Sequence, residues 1–106
     1  MVLAEYAYTM RVTMAGNVYS FGVVLLELLT GKPSVSEGTE LAKWVLRNST
    51  QQDRWDGILD FNISRTSPAV RSHMHAVLKI ALSCVSVSTE ARPKMKSVLR
   101  MILNAR

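Results

Sequence analysis

The stretch NVYSFGVVLLELLTGKP, residues 17–33, constrains the fold more than any other part of this sequence. Val18, Phe21, Val24, Leu25 and Leu28 recur at helical spacing, and Tyr19, Val23, Leu26 and Leu29 fill most of the remaining circumference. A helix over 18–30 that is apolar on nearly every side belongs at the centre of a protein, covered by other elements. It rises only about 20 Å, short of the ~30 Å hydrocarbon layer, and Glu27 interrupts the run, so it reads as a core helix rather than a membrane span. Gly31 and Pro33 should stop it, the first as a left-handed cap and the second because its ring cannot continue the ladder.

What covers that helix must also be helical. Thr39 is a fitting N-cap for a short helix through Arg47, with Leu41, Trp44 and Val45 as its apolar stripe. A short apolar piece follows around Ile58 and Leu59. Ser67 and Pro68 open a long amphipathic helix in which Val70, Met74, Val77, Leu78, Ala81, Leu82 and Val85 face inward, with Arg71, His75 and Lys79 outside. A last helix begins at Pro93 and runs to about Asn104. The sequence shows no convincing alternating strand, repeat or low-complexity tract, so the expected class is all-α.

Composition narrows the chemistry. A chain of 106 residues with 48% hydrophobic and 20% charged residues is one ordinary globular domain. The single Cys84 lies in the apolar run IALSCVSV, which excludes an internal disulfide and points to a small buried hydrophobe in a reducing compartment. The start, MVLAEYAYTM, lacks the basic, apolar and cleavable parts of a secretory signal. The net charge of +5 arises largely after Glu90, where Arg92, Lys94, Lys96, Arg100 and Arg106 meet no acidic residue. Met95, Val98, Leu99 and Ile102 interleave them at helical spacing, so they form the solvated side of an amphipathic helix, and no nucleic-acid motif accompanies them.

Motifs for catalysis are sparse. His73 and His75 are two apart, a spacing that points them to different faces of a helix, so they read as surface histidines rather than a metal pair. Asn48-Ser49-Thr50 and Asn62-Ile63-Ser64 match the glycosylation pattern but are more simply loop residues. Asp53, Asp56 and Asp60 lack the flanking glycine and glutamate of a calcium loop and read as solvated turn residues.

Residues 17–33 resemble the central helix of the C-terminal lobe of a protein kinase, in the form found in plant leucine-rich-repeat receptor-like kinases. LAEYAYTMRVT resembles the end of the activation segment, where Leu3-Ala4-Glu5 stands at the Ala-Pro-Glu motif with its glutamate kept and its proline lost. ELAKWV resembles the next helix, ILD the connection after it, and ALSCVSVSTEARPKMKSVLRMI the closing Arg-Pro-x-Met pattern. The resemblance covers nearly the whole chain. It implies that residues 1–106 are one partial kinase domain, from the end of the activation segment through the last helix, a helical C-terminal (large) lobe fragment lacking the N-lobe and the catalytic loop.

The resemblance carries residue-level expectations. It implies an ion pair between Glu5 and Arg92 that ties the activation segment to the last helices, a contact suited to bidentate, partly buried geometry. Asn17 stands where most kinases have an aspartate that anchors the catalytic loop; the amide keeps an acceptor and loses the charge. Thr9, Thr13 and Trp44, with Tyr6 and Tyr8, would lie on the substrate side. Full-length relatives would use ATP and magnesium through a glycine-rich loop, a strand lysine, a catalytic aspartate and an Asp-Phe-Gly ligand. None of these is present: Asp60-Phe61-Asn62 and the AVLK ending at Lys79 imitate two of them at the wrong places, and the glycines never cluster. No cofactor is therefore expected in this chain, and the ATP site would come from sequence preceding Met1.

Three functional readings follow. In the first, the chain is a piece of a receptor-like kinase acting on serine and threonine or on tyrosine, catalytically inactive alone, with the remainder of the kinase domain as its partner. Its place would be the cytoplasmic side of the plasma membrane, reached only through the parent's transmembrane helix, or the cytoplasm if it is made as a fragment. In the second, it is a small non-enzymatic binding module that engages kinases or their substrates. A basic nucleic-acid binder comes third. With the catalytic loop missing, the face carrying Val18, Phe21 and Leu25 is expected to lack a partner, which would favour association.

Overall fold

The computed structural model describes residues 2–33, 39–51, 54–60 and 67–105, and within the first helix it omits the side chains of Val2, Leu3, Tyr6, Tyr8, Arg11 and Val12. The elements are α1 (Val2–Thr30), α2 (Thr39–Asn48), α3 (Trp55–Ile58), α4 (Pro68–Cys84), a 3-10 turn (Thr89–Ala91) and α5 (Met95–Asn104). No strand occurs among the described residues. The all-α expectation therefore holds.

The central helix is longer than its apolar pattern. Residues 18–30 are helical as expected, but the helix starts at Val2. Ala4, Glu5, Ala7, Met10, Met14 and Ala15 have high helix propensity, and no proline interrupts them, Ala4 standing where the kinase pattern has one. Thr13 Oγ1 donates back to the Thr9 carbonyl at 2.9 Å, which occupies its hydroxyl within the helix. Asn17 consequently lies inside α1 rather than at a helix start. The extension also makes Thr13–Thr30 long and apolar enough to cross a membrane by length and composition. In the fold 33% of that window is buried.

Two apolar clusters build the core. The larger joins Val23, Leu26 and Leu29 of α1 to Leu41 and Val45 of α2, Trp55 and Ile58 of α3, and Leu78 and Ala81 of α4. The smaller joins Val18 to Ile80, Cys84 and Val98, bringing α5 against α1 and α4. Leu26, Val45, Leu78 and Val98 are completely buried. Each such side chain contributes roughly 1.5–3 kcal/mol by leaving water. Cys84 is buried with them, as expected, and burial pushes its thiol pKa up, opposed only by the Ser83 hydrogen bond.

The expected bare face is displaced. Val18 is 2% exposed, while Phe21 and Leu25 pack against the two clusters. Exposure falls instead on Val24 at 51% and Leu28 at 68%. The reason is chiefly α4, the element packed most extensively on α1, whose Ile80 and Cys84 join Val18 in the smaller cluster.

Helix ends follow local chemistry. Gly31 has φ +70 and its N–H donates to the Glu27 carbonyl at 2.9 Å, the left-handed cap that only glycine adopts without strain. The Asp60 N–H reaches the Leu29 carbonyl at 2.7 Å, so the chain leaving α3 closes the end of α1. Ser67 caps α4, its Oγ accepting from the Val70 N–H at 3.3 Å, with Pro68 in the first turn. Thr39 is the first residue of α2 rather than its cap, and α5 starts at Met95, two residues after Pro93. Residues 34–38, Asp53 and the Asn62-Ile63-Ser64 site lie outside the described residues.

Gly22 sets how close α1 comes to α4. A Cβ added there would sit 2.6 Å from Cys84 Cβ and 2.9 Å from Val85 Cγ1. Gly22→Ala should therefore destabilise the fold by about 1–3 kcal/mol through overpacking, outweighing the gain of about 1 kcal/mol in helix propensity, as a lower urea midpoint will show. Gly16 meets nothing within 4 Å, so Gly16→Ala in the same helix should leave the midpoint unchanged or raise it.

Candidate functional site

Arg92 organises the side of the molecule where α1, α2 and the 3-10 turn meet. The turn Thr89–Ala91 hands over to extended backbone at Arg92, φ −72 and ψ 137, a conformation the following Pro93 favours. The side chain is thereby thrown back across the turn onto α1. Its Nε donates to the Ser86 carbonyl at 2.9 Å, and Nη1 donates to the Ala15 carbonyl at 3.1 Å. Its guanidinium carbon lies 4.8 Å from the centroid of the Tyr19 ring. One planar cation thus spans 77 residues of sequence with two hydrogen bonds and a ring face.

Beside it is a concavity of about 300 Å³ lined by Tyr19, Thr39, Ala42, Lys43, Leu46, Val85, Val87 and Arg92. A second, of about 400 Å³, lies between α4 and α5 and is lined by Ala76, Lys79, Ile80, Ser83, Met101, Asn104 and Ala105. Both are shallow. Neither lining includes a carboxylate or a turn of clustered glycines, so these residues do not fit a magnesium-bound nucleotide. What the first offers is apolar contact with Val85, Val87 and Leu46, edged by the cations Lys43 and Arg92.

Glu5 and Arg92 are not brought together. Glu5 is exposed in the first turn of α1, and no ion pair joins it to Arg92 among the described residues. The uninterrupted helix is the reason: ten residues of α1 separate Glu5 from Ala15, about 15 Å along the axis. The implied carboxylate partner of Arg92 is replaced by two backbone carbonyls and a ring. Asn17 is exposed in mid-helix, and Thr9 and Thr13 are exposed on the preceding turns. Trp44 is half-buried on α2, packed against the larger cluster with Lys32 Nζ 4.5 Å above its ring. These residues share no site, and the side chains of Tyr6 and Tyr8 lie outside the described residues.

The histidines have definite partners and are only partly exposed, which corrects the surface reading. His73 Nδ1 donates to the Ala105 carbonyl at 2.6 Å, tying α4 to the end of α5. His75 Nε2 donates to Asp56 Oδ1 at 2.9 Å and meets Trp55 edge-on, with centroids 5.8 Å apart. Arg71 approaches the other Asp56 oxygen at 3.8 Å. Asp56 is exposed, as expected of a solvated residue, and also links α3 to α4. The two-residue spacing did separate the rings, and each was recruited by a different helix. Backbone acceptors such as Ser86, Ala15 and Ala105 bear no sequence signature, so these ties could not be read in advance.

Lysine is a poor substitute for Arg92, because a single ammonium cannot reach both carbonyls and also lie flat over Tyr19. Arg92→Lys should lower stability by about 1–3 kcal/mol in urea melts. Glu5→Gln should stay within about 0.5 kcal/mol, as expected of an exposed side chain; equal losses for the two would show that they are coupled after all.

Known proteins align with this chain closely. It is 49% identical over 102 residues to the leucine-rich repeat receptor-like tyrosine-protein kinase PXC3 of Arabidopsis thaliana, covering 92% of this chain and 12% of PXC3. It is 46% identical over 112 residues to the leucine-rich repeat receptor-like serine/threonine-protein kinase At1g17230 of the same plant, covering 99% of this chain and 10% of that protein. The chain therefore spans about a tenth of the length of these curated relatives. Among solved structures, the pseudokinase domain of BIR2, an immune regulator of the RLK/Pelle family, superposes with a TM-score of 0.80 at 32% identity, covering 92% of this chain and 30% of that one. No protein-family model matches. The matches cover 92–99% of this chain and the fold agrees: the chain is a partial C-terminal kinase lobe of the plant leucine-rich-repeat receptor-like kinase family.

Proposed function

We propose that this chain is the scaffold portion of a receptor-like protein kinase whose whole domain phosphorylates proteins with ATP and magnesium on the cytoplasmic side of the plasma membrane, and that these residues alone transfer no phosphoryl group. The observation that carries this reading is the division of labour in the chain. Its polar contacts, at Arg92, His73, His75 and Asp56, tie helices to one another, and its concavities lack the acidic and glycine-rich groups that hold a nucleotide. Phosphoryl transfer depends on metal-binding carboxylates and a positioned base, and a lobe without them can only mount the groups that others supply. The relatives' names include both a tyrosine and a serine/threonine kinase, so they support protein as substrate class and leave the acceptor hydroxyl open.

A second reading is a non-enzymatic binding module, and one observation favours it. Val87 is 87% exposed at the rim of the Arg92 concavity, where Lys43 also lies. An apolar rim with two cations suits an acidic, apolar segment of a kinase or of its substrate. The solved structure it resembles is a pseudokinase domain, that of an immune regulator, which accords with such a reading.

Incubating the purified chain with radiolabelled ATP, magnesium and a general protein substrate should yield no label in the chain or the substrate. Incorporation that scales with chain concentration and disappears on heat denaturation would overturn the scaffold reading. In the same assay, adding the chain to an active receptor-like kinase domain separates the two readings: unchanged turnover fits a scaffold piece, and saturable inhibition weakened by Val87→Asp fits a binding module.

A further inference from the structure

We draw no further inference here: the strongest candidate, the outer face of α5 where Leu99 and Leu103 are exposed beside Lys96 and Arg100, is an unpartnered helix face, and in a chain that spans about a tenth of the length of its relatives nothing in the structure shows what covers it.

Discussion

The close approach of α1 and α4 is the constraint on which the rest of this fold depends. Gly22 lets the backbone of α1 come within Cβ contact of Cys84 and Val85, and that contact divides the core into the Leu26–Leu78 side and the Val18–Val98 side. Small atoms at the crossing allow large ones on either side of it to interdigitate at close-packed density. Because α2 and α3 pack on one side and α5 on the other, moving α4 outward would loosen both clusters together. The apolar circumference of residues 18–30 follows from this position: a helix with neighbours on several sides has little use for polar residues.

Arg92 is the second constraint, and it shows how a charged group can hold a fold through backbone carbonyls and a ring face. A guanidinium is weakly hydrated for a cation, planar and rich in donors, so two carbonyls and an aromatic face can replace much of the water it gives up. Those partners belong to α1 and to the segment after α4, which makes Arg92 a three-way joint between the central helix, the turn and the helix that follows Pro93. The resemblance gave Arg92 a structural role as the ion-pair partner of Glu5. The motif's partner was wrong for this chain, because a continuous α1 carries Glu5 along the axis and away from the joint.

The legible parts of the structure were those fixed by periodicity and local chemistry. The apolar helix over 18–30, the Gly31 cap, the Ser67-Pro68 start of α4 and the burial of Cys84 all depend on residues close in sequence. What was not legible depends on side chains meeting backbone far away, as with His73 at Ala105 and Arg92 at Ala15, or on competition between tendencies. Residues 2–16 illustrate the second kind. Their apolar pattern predicts no core helix, yet alanine, methionine and glutamate favour helix and nothing stops it, so the helix that the core nucleates continues into them. The bare face was misplaced for a related reason, since deciding which side of α1 is covered requires knowing where α4 returns.

That continuation gives one helix two physical regimes. From Val18 onward α1 is held by burial, and its hydrogen bonds are shielded by neighbouring side chains. Before Ala15, whose carbonyl Arg92 holds, it is held by propensity and by its covalent attachment to a helix already formed, which removes the cost of nucleation but adds little tertiary support. Gly16 stands at the junction with open space around its Cα, where the helix is intrinsically weakest. The two halves should therefore open at different free energies, the arm by local fraying and the core only with the whole domain.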